Sequence, residues 1–227
     1  MIPPEDAETV TERQDRLLAA EDGRHFAVGK HGTGLAHVAA TEKIGPMIAS
    51  FSLPSAPALF LSLAHRAFAT YRDVDVSAYF NSHPEGIWPD DHTPLFDFCE
   101  QYAAHVVFAF TALESFANEA IPQDYSYTST WGTKKGKPGH KVVYSGDEIA
   151  RNVSLGEKLA RVLPDALKVP TPKGLHIWRN YKSLKGWRDR IIHLKMADRQ
   201  SSGPEVKTIW GACFGTPKNL SATTSTN

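Results

Sequence analysis

The run from Leu95 to Ile121, LFDFCEQYAAHVVFAFTALESFANEAI, most constrains what this chain can fold into. It combines alanines with long apolar side chains and has no interior proline or glycine, either of which would break or loosen a helix. Cys99, Tyr102, Val106, Phe110, Leu113 and Ala117 recur at spacings of three and four, which sets them on one helical face. At about 1.5 Å rise per residue the helix spans roughly 40 Å, and Pro122 stops it. The expected fold class is mainly α, an antiparallel helical bundle.

The chain has 227 residues, enough for one domain, or one domain with a small appendage. A hydrophobic content of 41% and a mean hydropathy of -0.33 suit a globular protein. No run approaches the roughly 18 apolar residues of a membrane span. The opening MIPPEDAETVTERQD has neither the basic nor the apolar part of a signal peptide, so the expectation is a cytoplasmic protein with no membrane partner. Two cysteines make neither a disulfide framework nor a thiolate metal site. Cys99 reads as a small buried side chain and Cys213 sits in a Gly/Pro-rich tail. No cofactor and no metal are expected.

Basic and acidic side chains balance at 25 each, but unevenly along the chain. Residues 1–22 carry seven acidic and two basic side chains, whereas residues 173–207 carry nine basic and three acidic ones. The second stretch is either a basic surface that attracts an anion or an ordinary solvated helix face.

Residues 5–21 read as a short charged helix, and 26–52, with glycines among short apolar runs, stay ambiguous. GKHGTG at 29–34 lacks the Walker spacing and its final Lys-Ser/Thr pair, so it reads as a turn. Residues 56–80 are helical for most of their length. His83, His92 and the neighbouring aspartates lie in a proline-flanked turn region that fixes no ligand geometry. Residues 123–146 form a polar insertion whose Tyr, Thr and Val content permits a hairpin around the KKGKPG turn. There Lys134 and Lys135, interleaved with Tyr125, Tyr127, Trp131 and Tyr144, either contact phosphate while the rings stack on bases, or the rings pin the insertion to the bundle. Ser154-Leu155-Gly156-Glu157 is a capping box opening a helix with Leu155, Leu159, Val162 and Leu163 inward. The last expected helix covers about Leu175 to Ala197, and 201–227 read as a flexible C-terminal extension.

That last helix carries the chemistry. Ile177, Tyr181, Leu184 and Ile191 form its apolar face, while Lys182, Gly186, Asp189 and His193 form a separate stripe. Gly186 removes bulk in mid-stripe, so a second helix can approach closely. Arg188 lies about 140° from His193 within the apolar face and reaches solvent only if its stem lies over the core. Arg190, about 60° from His193, is the easier neighbour. Periodicity leaves both arginines as candidates. Glu114 and Asn118, four apart beside the apolar stripe of the long helix, face a second helix, support a site, or are simply exposed.

These residues resemble the HEPN superfamily of all-helical domains. Arg188, Asp189 and His193 match its Arg-polar-x3-His signature in the R-x4-H form, with Asp189 where Asn is often found. The long helix bearing Glu114 and Asn118, and the Leu-rich helix after it, fit the family layout over roughly residues 95–197. The resemblance implies a helical N-terminal region (1–94) packed on a HEPN-like core (95–200) with the 123–146 insertion. It implies a metal-independent endoribonuclease acting as a homodimer, of the kind found among toxins and defence effectors and restrained by an antitoxin or regulatory protein. His193 would move protons at the ribose 2′-OH and the leaving 5′-oxygen, and Arg188 would hold the scissile phosphate. Asp189, Glu114 and Asn118 would support the site, and Lys182, Lys185 and Arg190 would draw RNA. The alternative is a noncatalytic HEPN-like module that binds nucleic acid, nucleotide or a partner protein, and a third is a helical interaction domain.

Overall fold

Residues 24, 27–30, 34–80, 91–131, 140–200, 203 and 205–214 are described by the computed structural model. The expected helix at 5–21, His83, Lys134 and Lys135 lie outside the described residues. The chain divides into two units, residues 1–59 and 60–227.

The first unit corrects the expectation of a helical N-terminal region. Strand β1 (Ala27–Lys30) pairs antiparallel with β2 (Gly34–His37), and β3 (Ala39–Ile44) with β4 (Met47–Ser52). Of GKHGTG, Gly29 and Lys30 end β1 and Gly34 opens β2, with Lys30 opposite Gly34, while residues 31–33 lie outside the described residues. In β3–β4 the register runs from Ala39↔Ser52 to Ile44↔Met47. Gly45 takes φ 59°, the left-handed conformation that a two-residue hairpin turn demands and that glycine adopts without strain. Isoleucine, threonine and phenylalanine suit such strands, while glycine at the turn position ends any helical register.

The second unit is helical around one small hairpin. From Phe60 onward, α1 (Ala56–Tyr71) lies along α2 (Thr93–Glu119), so the unit boundary falls at 59/60 and not at 94/95. The two helices are joined by stacked Phe60 and Phe108, by a bond from the His105 ring to the Ala64 carbonyl, and by Tyr71 against Phe98 and Tyr102. A short 3-10 turn, Val76–Phe80, follows α1. The long helix forms as its sequence requires, with Tyr102, Val106, Phe110 and Ala117 buried along the expected stripe.

The insertion forms the expected hairpin, β5 (Tyr127–Trp131) with β6 (His140–Tyr144). Its tyrosines pin it to the helices. Tyr127 is buried and donates to Glu157 at 2.5 Å, Tyr125 donates to Asp165 at 2.6 Å, and Tyr144 packs on the core. A helix absent from the sequence reading, α3 (Gly146–Asn152), is opened by a capping box between Ser145 and Glu148.

The Leu-rich segment starts at the expected cap, where the Ser154 hydroxyl accepts from the Glu157 amide. It is not one regular helix. A turn of π-helix, Lys158–Val162, separates α4 (Leu155–Glu157) from α5 (Leu163–Leu167). Leu155, Val162 and Leu163 are buried, as their spacing predicts.

The last long helix, α6 (His176–Ile192), packs against α2. It stops at Ile192, five residues short of the expected end, and the chain turns through a 3-10 segment at Met196–Asp198. The cause is tertiary. Asp198 folds back onto Arg190, with Nε–Oδ2 at 3.0 Å and Nη2–Oδ1 at 2.6 Å, and also accepts from the Ile209 amide at 2.6 Å. This anchors a further helix, α7 (Ile209–Phe214), inside the stretch expected to be flexible. Ile209 and Cys213, four apart, enter a core with Phe98, Tyr102 and Val106. Among the described residues no helix is long and apolar enough to cross a membrane.

Candidate functional site

The packing of α2 on α6 sets where each expected site residue lies. Arg188 occupies the inner face of α6, as its angular position requires, with its guanidinium carbon 3.9 Å from the centroid of the Phe110 ring. This is a cation–π arrangement, in which the charge rests on the electron-rich face of the ring. Its Nη1 reaches Asp189 Oδ1 at 3.0 Å, and the side chain is 24% exposed. The Nε–H is buried and has no hydrogen-bond acceptor among the described residues. Arg188 therefore lies over the core with only part of its guanidinium emerging.

Asp189 is the hub. Lys185, one turn earlier, donates to it, and Arg188 pairs with its other oxygen. The Lys185 bond first, and then the charges of Lys185, Arg188 and His193, hold its carboxyl below the usual range. His193 is exposed at the end of the helix, where its amide donates to the Asp189 carbonyl at 3.0 Å. Arg188 and His193 thus share Asp189 as neighbour, one by contact and the other by its field. They do not touch each other.

Lys182 is exposed on the outer face. Gly186 is exposed too, and a Cβ built there meets no described residue within 4 Å, so none of the described residues demands a glycine at that position. Arg190 does not join this stripe. The expectation of a phosphate contact gives way to its pair with Asp198 and a bond to the Lys207 carbonyl at 2.9 Å.

On α2, Glu114 is exposed and forms no ion pair with a described residue, whereas Asn118 is occupied. Its Oδ1 accepts from Lys158 Nζ at 2.8 Å, and the same ammonium donates to the Ala150 carbonyl at 2.7 Å. Lys158 is only 2% exposed. Burial pushes its amine below the ordinary lysine value, against the opposing pull of Glu114. Tyr181 lies in the same neighbourhood, within the field of Glu114, Lys185, Asp189 and Arg188. Its hydroxyl is buried and has no partner among the described residues, and burial raises its pKa.

Lys158 and Tyr181 escaped the sequence reading. Lys158 lies three residues after Leu155 and four before Val162, so spacing sets it beside the inward face, but a lysine there reads as a stem that snorkels to solvent rather than as a buried ammonium. Tyr181 was legible as a core residue but not as a polar one. Among the described residues no cluster of His, Cys, Asp or Glu is arranged to hold a metal.

The fold and this region define a mainly helical protein with a basic, histidine-bearing helix end. No protein-family model, no curated protein and no solved structure matches the chain.

Proposed function

We propose that this chain is a HEPN-like, metal-independent endoribonuclease that works as a homodimer. The observation that carries the reading is the arrangement about Asp189. A partly emergent arginine, a lysine and an exposed imidazole lie around one carboxylate at the end of α6. Gly186, which packing among the described residues does not require, leaves room beside them for a second helix. A second copy seated there brings two His193 side chains toward one cleft.

In that cleft one imidazole takes the proton of the ribose 2′-OH as its oxygen attacks phosphorus. The other donates a proton to the departing 5′-oxygen. Arg188 holds a non-bridging oxygen and stabilises the charge that builds on it, with the emergent amino groups of its guanidinium as donors. The products are a 2′,3′-cyclic phosphate and a 5′-hydroxyl. Lys182 and Lys185 draw the RNA backbone. A nuclease of this kind is toxic to its own cell, which fits a toxin or defence effector held in check by an antitoxin or regulatory protein.

A second reading, a noncatalytic module that binds nucleic acid, nucleotide or a protein, has one observation in its favour. Arg188 rests on Phe110 and pairs with Asp189, and a structural arginine would do the same. The two readings separate when purified protein is incubated with single-stranded RNA in EDTA, beside His193→Ala and Arg188→Ala. Cleavage that yields cyclic-phosphate ends and is lost in both folded variants supports the nuclease. RNA binding without cleavage supports the module, and cleavage unchanged in both variants excludes this site.

A further inference from the structure

The second unit contains a cavity of about 920 Å³ among α1, the 3-10 turn, α2, α6 and α7, and neither Arg188 nor His193 lines it. That volume suits a small molecule, since ligand cavities run to roughly 300–1,000 Å³. Its walls are largely aromatic, with Tyr71, Phe98, Tyr102, Trp187 and Phe214 all contributing. These rings already meet one another edge-on, tilted or, for Phe98 and Tyr102, stacked. Tyr71 lies 5.3 Å from Phe98, and Tyr102 lies 5.6 Å from Trp187. A planar ring entering among them finds the same edge and face contacts.

One polar group in the lining has a defined role. His105 Nδ1 lies 3.0 Å from the Ala64 carbonyl. A carbonyl oxygen only accepts, so Nδ1 carries the proton and Nε2 offers a lone pair. Burial holds the ring in its neutral form by lowering its pKa, which keeps Nε2 an acceptor at neutral pH. Nε2 has no hydrogen-bond partner among the described residues. Of the charged residues of the lining, Arg72 pairs with Asp73 at 2.8 Å, and Asp75 accepts at 2.7 Å from Ser77, which also lines the cavity. The apolar walls therefore favour a ligand without net charge, and the imidazole asks it for a hydrogen-bond donor at Nε2.

We propose that this cavity binds a small uncharged aromatic molecule bearing an N–H or O–H donor, its rings among Tyr71, Tyr102 and Trp187 and its donor on His105 Nε2. A fluorescent diarylamine, N-phenyl-1-naphthylamine, has this chemistry, and its N-methyl derivative lacks only the donor. Titrated into the full chain, the parent probe brightens saturably with one site per chain and binds about ten-fold more tightly than the derivative. His105→Phe, which keeps a ring but removes the acceptor, erases that ten-fold preference. Ala109→Trp fills the cavity from α2 and Ser183→Trp from α6, and each variant shown folded by circular dichroism loses both probes. Absence of saturable binding to the wild-type chain overturns the proposal, as does binding that survives both folded tryptophan variants. A preference for the donor that persists in His105→Phe overturns the assignment of ligand class. The measurement needs no RNA and touches neither Arg188 nor His193, so it stands or falls apart from the nuclease reading.

Discussion

Replacing the buried Lys158 by methionine tests how the π turn and the Asn118 end of α2 are held together. The substitution keeps the length of the stem and most of its volume, so packing changes little. It removes two charge-assisted bonds, to Asn118 Oδ1 at 2.8 Å and to the Ala150 carbonyl at 2.7 Å. Each such bond contributes about 1.5–3 kcal/mol, and a buried acceptor left unpaired costs about 1–3 kcal/mol. Two effects offset these losses. The ammonium no longer has to be desolvated, and Asn118, which is only half-buried, can turn toward water. A net destabilisation of about 2–3 kcal/mol follows. At roughly 2–4 °C per kcal/mol for a chain of this size, Tm falls by about 4–12 °C.

Urea and thermal unfolding of Lys158→Met, Asn118→Leu and the double variant at pH 7 measure this. The double variant should lose less than the sum of the singles by about 1 kcal/mol or more, because the two side chains share one bond. The pH dependence has a definite sign. The folded pKa of Lys158 lies below its ordinary 10.5, so between the two values the unfolded chain holds more protons. Stability from this lysine is fully present above 10.5 and is lost as pH falls through the folded value. The gap between wild type and Lys158→Met therefore widens as pH rises toward 10.5. If Lys158→Met is as stable as wild type at pH 7, or more so, the desolvation of the amine outweighs its bonds and the reasoning fails.

Gly186→Gln should raise the stability of the isolated chain by about 0.5–1 kcal/mol, since glycine is a poor residue in mid-helix and the position is open. The same change should abolish a dimer on light scattering, and with it RNA cleavage; a dimer that survives refutes the proposed pairing face. Asp198, held at about 2 by Arg190, supports the native state at pH above its ordinary 3.8 and withdraws that support as pH falls toward 2. The stability difference between wild type and Asp198→Asn should therefore shrink between pH 4 and pH 2 in acid unfolding curves. Tyr127→Phe, which deletes the donor to Glu157, should cost about 1 kcal/mol. It should also speed amide exchange at Val142 and Val143, while an unchanged rate would mean that the hairpin is held by packing alone.

Local sequence determined the elements whose signals lie within a few residues of one another. The 27-residue helix α2 formed because nothing between Thr93 and Glu119 opposes it after Pro94, and its stripe of Tyr102, Val106, Phe110 and Ala117 was legible from spacing alone. The Ser154 cap, the hairpin around residues 127–144 and the inward angle of Arg188 were legible for the same reason. Tertiary structure decided whatever depends on partners far along the chain. Arg190 looked like the easier neighbour of His193 until Asp198 folded back to take its guanidinium, which also ended α6 and anchored Ile209–Phe214. Nothing in the sequence marked the Lys158 ammonium for burial, and only the fold sets it between Asn118, forty residues earlier, and the Ala150 carbonyl. A charged side chain's angle on its helix follows from period and spacing, but its role depends on which distant groups satisfy its hydrogen bonds. Periodicity carries no record of those groups.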